Sequence, residues 1–297
     1  VLSLLAIANA DAGSSDDAAV DEVVNALRDA AEVDVELVRT SSPDDLADAL
    51  AERPDLDAVA VLGGDGSLHA VVQALRDAGR LDVVVGLVPL GTGNDFAATL
   101  ALPATPAEAA QVIARGRTQA VDLVVDGHGA VVVNAAHIGI GAEAAAAARP
   151  WKKALGPVGY AVGAALTGLK GLTTPGAHLR ITVDGEQLTR KEPVIQVAVG
   201  NGRYVGGGAP LLPRADPSDG LIDVSVSYTE SPRRRIAYAF SVRRGEHHRR
   251  DDVVYLRGTS VEVQGDALRC TSDGELTEAS AHHAWHIEPG ALTMYVP

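Results

Sequence analysis

Two short runs of β-branched and apolar residues, Ala58 to Leu62 and Val83 to Val88, each stop at a glycine-rich turn. The first turn reads Gly63-Gly64-Asp65-Gly66-Ser67 and passes directly into a helical stripe of Leu68, Val71, Val72 and Leu75. The second reads Leu90-Gly91-Thr92-Gly93-Asn94-Asp95-Phe96. Strand, glycine turn and helix in this order allow backbone N–H groups to face a phosphate. Glycine permits positive φ and a close approach of the backbone to a ligand. The acids Asp65 and Asp95 would repel a phosphate on their own. They make chemical sense with a divalent cation between them and the phosphates. The expectation is a Mg²⁺-nucleotide site at the carboxyl ends of neighbouring parallel strands.

The rest of the first half repeats the unit. Leu2 to Ala8 reads as a strand, followed by a turn and a helix with Val20, Val23, Val24 and Leu27 on one face. Val33 to Arg39 is a second strand, ending at Thr40. Ser42-Pro43 opens the next helix as N-cap and first helical residue. Thr105-Pro106-Ala107-Glu108 reads as a capping box, and Gly116 closes that helix. Such units build an open, mostly parallel α/β sheet, in which ligands lie outside the carboxyl ends of the strands. Asn9, Thr40, Gly63 and Gly91 all fall at such ends. The second half switches to period-2 patterning with frequent turns, including Asp126-Gly127-His128-Gly129 and Asp184-Gly185, which predicts an antiparallel β-sandwich. Helical segments are expected near Ala142 to Arg149 and Gly156 to Leu172. The boundary falls near residues 117–128: a nucleotide domain over 1–122, and a second domain over 123–297 whose last strand is free to return to the first.

Charge excludes one class of partner. A net charge of −14 argues against a general nucleic-acid binder. The basic residues are concentrated, with eight arginines against three acids between Ser231 and Arg257. This stretch is either a solvated or ion-paired face, or a surface attracted to anionic lipid. The single cysteine, Cys270, rules out an intrachain disulfide and fits a reducing compartment. No run reaches the ~20 apolar residues of a membrane-spanning helix. The uncharged stretch Leu155 to Leu169 is read as a packed helix or part of a lipid pocket. The chain opens on Val1, inside a predicted strand, so its natural start is expected upstream.

Gly63-Gly64-Asp65-Gly66-Ser67, followed about twenty-five residues later by Leu90-Gly91-Thr92-Gly93-Asn94-Asp95-Phe96, resembles the catalytic domain of bacterial diacylglycerol kinases and related lipid kinases, including sphingosine kinases. The first motif is shared with NAD kinases and phosphofructokinases; the second is more particular to lipid kinases. The resemblance runs from the first strand to the last residues. It implies a Rossmann-like ATP domain, a β-sandwich lipid domain and transfer of the γ-phosphoryl of Mg-ATP to a lipid hydroxyl, with diacylglycerol as the default acceptor. It also implies a cytoplasmic enzyme that meets its substrate at a membrane surface, and it allows a homodimer.

Residue by residue, the resemblance places Asn9, Gly13, Thr40, Gly63, Gly64, Asp65, Gly66, Ser67, Gly91, Thr92 and Asn94 around the nucleotide. Asp65 and Asp95 lie near the catalytic Mg²⁺. Asp216, Asp219 and the carbonyl of Leu221 hold a structural Mg²⁺, and a loop of Asp, Gly and Pro suits a hard cation. Thr271-Ser272-Asp273-Gly274-Glu275 reads as a hairpin turn, and the resemblance makes Glu275 the base that takes the acceptor's proton. Ser67 stands where the family has Thr, which keeps the hydroxyl. His69-Ala70 stands where an Asn-Glu pair is common, either as drift on a helix flank or as an altered contact. Gly139-Ile140-Gly141-Ala142-Glu143-Ala144 mimics a dinucleotide fingerprint without its strand–helix–strand context. His247, His248, His282 and His283 lack metal-ligand companions and are read as packed or solvated. Two other readings stay open: an NAD kinase, and a lipid- or nucleotide-binding module without catalysis.

Overall fold

The computed structural model describes residues 2–10, 14–29, 33–139, 174–229 and 231–297. The expected helices near 142–149 and 156–172, the turn after Gly139 and the candidate Gly13 lie outside these residues. The chain divides into two compact units. The first comprises Val1–Leu123, Pro217–Gly220 and Glu288–Pro297, and the second Val124–Asp216 and Leu221–Ile287.

In the first unit, β1 (Leu2–Asn9), β2 (Val33–Thr40), β3 (Ala58–Gly63) and β4 (Val84–Pro89) form a parallel sheet in the order β2-β1-β3-β4. Alternation along each strand sends Leu4, Ala6 and Ala8 to one face and Leu5 and Ile7 to the other. The first face packs on α1 (Ser14–Arg28) and α5 (Pro106–Arg115), whose Val20, Val23, Val24, Leu27, Ala109, Val112 and Ile113 share its core. The stripe of α3 (Asp65–Asp77), namely Leu68, Val71, Val72 and Leu75, is fully buried. Ser42 caps α2 (Pro43–Ala51), its hydroxyl accepting the Asp45 N–H while the Asp45 carboxylate returns to Ser42. Thr105 departs from expectation. Its hydroxyl bonds the Glu108 carboxylate at 2.6 Å rather than the helix backbone, so no capping box forms there. Gly116 ends α5 at φ +71°, as read.

The second unit is antiparallel. One sheet runs β12 (Val253–Gly258), β11 (Ile222–Ser227), β10 (Gln196–Gly200), β7 (Ala135–Gly139), β14 (Cys270–Ser272) and β15 (Glu275–Leu276). Facing it are β13 (Ser260–Leu268), β8 (Leu179–Val183), β9 (Glu186–Gln187) and the first half of β16 (Ser280–Tyr295). Ile138, Val197, Val224 and Val226 from one sheet and Ile181, Val261, Val263 and Trp285 from the other fill a common core, which makes this a sandwich.

Period-2 patterning predicts two strands, His286 to Ile287 and Leu292 to Val296, on either side of Pro289-Gly290, and β16 runs on from the first into the second. Pro289 has no N–H for a ladder, and the Gly290 N–H, at φ +61°, donates to the Asp122 carboxylate instead. The last residues of β16 run parallel to β4, with Met294 opposite Val85. The hairpin signal at Asp126-Gly127-His128-Gly129 predicts a strand over Ala130 to Asn134, but this shrinks to β6 (Val131–Val132), paired with the end of β5 (Thr118–Asp126). The N–H groups of Val133 and Asn134 go to Asp273 instead. A helix the sequence reading omits, α6 (Pro232–Arg243), starts at Ser231, whose hydroxyl accepts the Arg234 N–H.

Candidate functional site

The strand order puts a reversal between β1 and β3, where connections leave in opposite directions. Ligands of such sheets settle at that crevice, outside the carboxyl ends. Register brings those ends abreast: Asn9 pairs with Thr40, Ala8 with Leu62, and Gly63 with Pro89. Asn9 is exposed and Thr40 half-buried at this rim.

The two glycine turns meet directly. Leu90 donates its N–H to the Gly63 carbonyl at 3.0 Å. A Cβ on Gly91 would stand 2.5 Å from the Gly64 Cα, and one on Gly64 would stand 3.0 Å from the Gly91 Cα. Only two glycines permit that approach. Asn94 sits in the left-handed region at φ 53° and folds its own turn. Its amide donates to the Gly91 carbonyl at 2.7 Å and accepts the Gly91 N–H at 3.1 Å.

Asp65 bridges the turns. One carboxylate oxygen accepts the Asp95 N–H at 3.0 Å, and the other accepts the Phe96 N–H at 2.9 Å. It thereby satisfies the first turn of α4 (Asp95–Thr99). α3 begins at Gly64 with no side-chain cap. Its first N–H groups, around Gly66 and Ser67, have no intrahelical acceptor and carry the positive end of the helix dipole. Gly91, Thr92 and Gly93 are exposed across from them.

Among the described residues no three His, Cys, Asp or Glu side chains gather as a ready metal cage. The acids of the first unit nevertheless suit a hydrated hard cation. The position of a Cβ on Gly93 lies 3.0 Å from Asp65 Oδ2 and 3.6 Å from Asp95 Oδ2, so two carboxylate oxygens border one space that glycine leaves clear. Mg²⁺ is commonly held by one or two carboxylates together with substrate phosphates.

The loop carrying Asp216, Asp219 and Leu221 changes unit within a few residues. Pro217–Gly220, including the exposed Asp219, belongs to the first unit. The buried Asp122 holds it there: its N–H donates to the Pro217 carbonyl at 2.8 Å, and its carboxylate accepts the Gly220 N–H at 2.7 Å. Asp216 and Leu221 belong to the second unit. Just ahead of Asp216, Arg203 donates to the Ala215 carbonyl at 2.8 Å. Nearby Asp223 is fully buried; burial pushes its carboxyl up to about 6, while the Tyr255 hydroxyl, donating at 2.7 Å, pulls the other way.

In the second unit Asp273 makes a turn the sequence announces and a contact it does not. Asp273 and Gly274 take φ 46° and 86° between β14 and β15, pairing Ser272 with Glu275. The Asp273 carboxylate accepts three backbone N–H groups, from Val133, Asn134 and Ala135, at 2.7 to 3.0 Å. Asn134 extends the link: its amide donates to the Tyr204 carbonyl at 2.7 Å, and its own carbonyl accepts the N–H groups of Asn201 and Gly202. A Cβ on Gly202 would fall 1.6 Å from Asn134 Oδ1, so that position admits no side chain. Glu275 stands exposed on this hairpin.

Asn134 and Asp122 were missed in the sequence. The signal for Asp122 is an acid inside the apolar run Val121 to Val125; that for Asn134 is an amide closing three valines. The histidines are packed or surface groups. His247 is buried, its ring nitrogen 2.9 Å from the Leu211 carbonyl, and burial lowers its pKa to about 4. His283 stacks on Trp285. Burial pushes the Cys270 thiol up to about 12, which removes it from thiolate chemistry.

Comparison with known proteins adds an independent line. Residues 3–125 match the model of the diacylglycerol kinase catalytic domain, and residues 132–296 match the YegS C-terminal NAD kinase beta sandwich-like domain. A Xanthomonas oryzae pv. oryzae protein named "Probable lipid kinase YegS-like" is 32% identical over 295 residues, 96% of this chain and 93% of that one. A protein of Mycobacterium tuberculosis named "Diacylglycerol kinase" is 31% identical over 237 residues, 76% of this chain and 73% of that one. The crystal structure of a diacylglycerol kinase from Bacillus anthracis str. Sterne shares the fold at a TM-score of 0.72 and 22% identity, covering 100% of this chain and 97% of that one.

Proposed function

Because this chain belongs to the family of diacylglycerol kinases and YegS-like lipid kinases, we propose that it moves the γ-phosphoryl group of ATP to a lipid hydroxyl, with diacylglycerol as the first acceptor to try. The observation that carries the nucleotide side is the Asp65 bridge. It joins the glycine turns that follow β3 and β4, next to the reversal between β1 and β3.

The chain's own groups then divide the work. The uncapped start of α3 offers N–H groups of Gly66 and Ser67 to phosphate oxygens. Thr92 on the facing turn adds a hydroxyl, and Asn9 and Thr40 border the rest of the nucleotide. Asp65 and Asp95 would hold Mg²⁺, which when bound neutralises charge on the phosphates. Asp216, Asp219 and the Leu221 carbonyl would hold a second, structural Mg²⁺; the Asp122 clamp and the Arg203 contact fix the loop that carries them. Glu275 takes the proton of the acceptor hydroxyl as phosphoryl transfer proceeds. Its exposure keeps the carboxylate available, and Asp273 holds the hairpin that presents it. Catalysis of this kind is mainly positioning and charge stabilisation.

A second reading, phosphorylation of NAD, has one observation in its favour: the model matched over residues 132–296 is described as NAD kinase-like. One assay separates the readings. ATP labelled on the γ-phosphate is supplied with Mg²⁺ and a panel of hydroxyl lipids in mixed micelles, with NAD as a separate acceptor. Transfer to a lipid names the substrate. Transfer to NAD alone replaces this proposal with the second reading. Bound ATP without transfer to any acceptor leaves a nucleotide-binding module, with His69-Ala70 the first positions to restore to Asn-Glu.

A further inference from the structure

The arginine-rich segment is sorted by α6 into two populations. Three of its side chains serve the second unit itself. Arg234 and Arg250 pair with Asp252, and Arg234 also pairs with Asp251. Arg235 turns inward, is buried, and donates to the carbonyls of Thr229 and Thr174. Tyr238 and Val242 lie on the same inward side, Tyr238 against the His247 ring and Val242 against the core beside Leu211 and Leu212.

The opposite side carries an unusual combination. Among the described residues the exposed large hydrophobic side chains are Ile236, 47% exposed, and Phe240, 64% exposed, one helical turn apart on α6. At about 100° per residue, Arg233, Phe240 and Arg244 fall on one stripe, with Ile236 and Arg243 along its flank. Arg233, Arg243 and Arg244 are exposed, and none of them has an ion-pair partner among the described residues. The helix therefore reverses the ordinary pattern, with an arginine inside and a phenylalanine outside.

We propose that this outward face of α6 is a docking surface for membranes containing anionic lipid, with Phe240 and Ile236 entering the headgroup boundary and Arg233, Arg243 and Arg244 meeting lipid phosphates. Its role in catalysis rests on the lipid-kinase reading above. Charge complementarity selects the occupant. A chain of net charge −14 is repelled by an anionic surface unless it presents a locally basic face. Exposed aromatic and aliphatic side chains flanked by arginines are the composition of an interfacial helix. Neutralising Arg233, Arg234 and Arg235 together would confuse docking with folding, because Arg234 and Arg235 hold the second unit together.

The test is co-sedimentation of the full chain with vesicles of equal parts phosphatidylcholine and phosphatidylglycerol, against vesicles of phosphatidylcholine alone. Two variants are compared with the parent: Ile236→Ser with Phe240→Ser, and Arg233→Gln with Arg244→Gln. Thermal unfolding checks that each folds. The expected result is binding to the anionic vesicles that weakens ~10-fold or more in each double variant, and that falls with added salt for the parent. Equal binding by parent and variants, or equal binding to neutral vesicles, overturns the proposal. A concentration-dependent dimer of the parent that Phe240→Ser disperses also overturns it, assigning the face to a second copy of the chain. Transfer to a short-chain, water-soluble diacylglycerol without vesicles is measured alongside. Its loss in the parent would strike the kinase reading, whereas retained transfer with unaltered vesicle binding in the variants would strike the docking face alone.

Discussion

Asp65 and Asp273 stand in the same local sequence, an Asp-Gly turn, and both spend their carboxylates on backbone N–H groups. Their turns differ in what they leave free. Asp65 opens a helix, so its neighbours Gly66 and Ser67 retain unsatisfied N–H groups suited to an anion. Asp273 takes a left-handed conformation in a hairpin, so its neighbour Glu275 stands exposed to solvent. One turn gathers donors and the other presents an acceptor. The Asp that each motif displays most prominently is partly a fastener, and the proposed function gives the substrate contacts to the adjacent groups.

The sharpest way to break this comparison is Glu275→Gln. If the exposed acid is the base, turnover falls by ~10²–10⁴-fold while ATP affinity and thermal stability stay near the parent's. Near-parental turnover would remove Glu275 from the chemistry. Next come Asp65→Asn and Asp273→Asn, each of which leaves backbone N–H groups with a poorer acceptor and costs about 1–3 kcal/mol of stability. They should part in kinetics. Asp65→Asn raises the KM for ATP as well as lowering kcat, while Asp273→Asn lowers kcat and leaves the KM for ATP in place. Identical kinetic signatures would show that the two turns act as one. Gly91→Ala tests the contact between the glycine turns. Its Cβ has no room beside Gly64, so a loss of about 1–3 kcal/mol and weaker ATP binding are expected; calorimetry and nucleotide titration read both.

The smallest effect concerns a group outside both turns. His247 is held neutral in the second unit, with a pKa lowered to about 4 by burial, against the Leu211 carbonyl, the Tyr238 ring and the His248 ring. The unfolded chain takes up the proton near the ordinary histidine value of ~6.5. The stabilisation is therefore complete above that pH and is lost as pH falls toward 4, reaching on the order of 2–3 kcal/mol at the acid end. His247→Gln should flatten this part of the stability–pH profile, measured by denaturant midpoints at neutral pH and at about pH 4.5. A profile as steep as the parent's would assign the acid sensitivity elsewhere.

Much of the first unit was legible because its signals are local. The stripes of α1 and α3, the Ser42 cap and the Gly116 stop each depend on residues within a few positions of one another. The parallel sheet followed from repeating strand–helix units, and Asn9, Thr40, Gly63 and Gly91 do reach one edge. Thr105 shows the limit of even a local motif. Its hydroxyl donates to the Glu108 carboxylate instead of accepting a helix N–H, so the box did not close. The strand through Asn134 failed for a different reason: the competing acceptor, Asp273, lies 139 residues further along the chain.

Periodicity, glycine punctuation and acid placement thus carried the fold class and the two turns at the carboxyl edge of the parallel sheet, because each is written in neighbouring residues. Packing assigned the roles. Asp65 became a bridge because the next strand brought Asp95 and Phe96 N–H groups to its carboxylate. Asp122, an acid within an apolar run, became the clamp of a loop nearly a hundred positions away. Arg235 went inside because carbonyls waited for the guanidinium within the second unit, while the Phe240 ring stayed 64% exposed. A hydrogen-bond partner distant in sequence leaves no periodic trace in the chain, so such choices exist only once the strands have met.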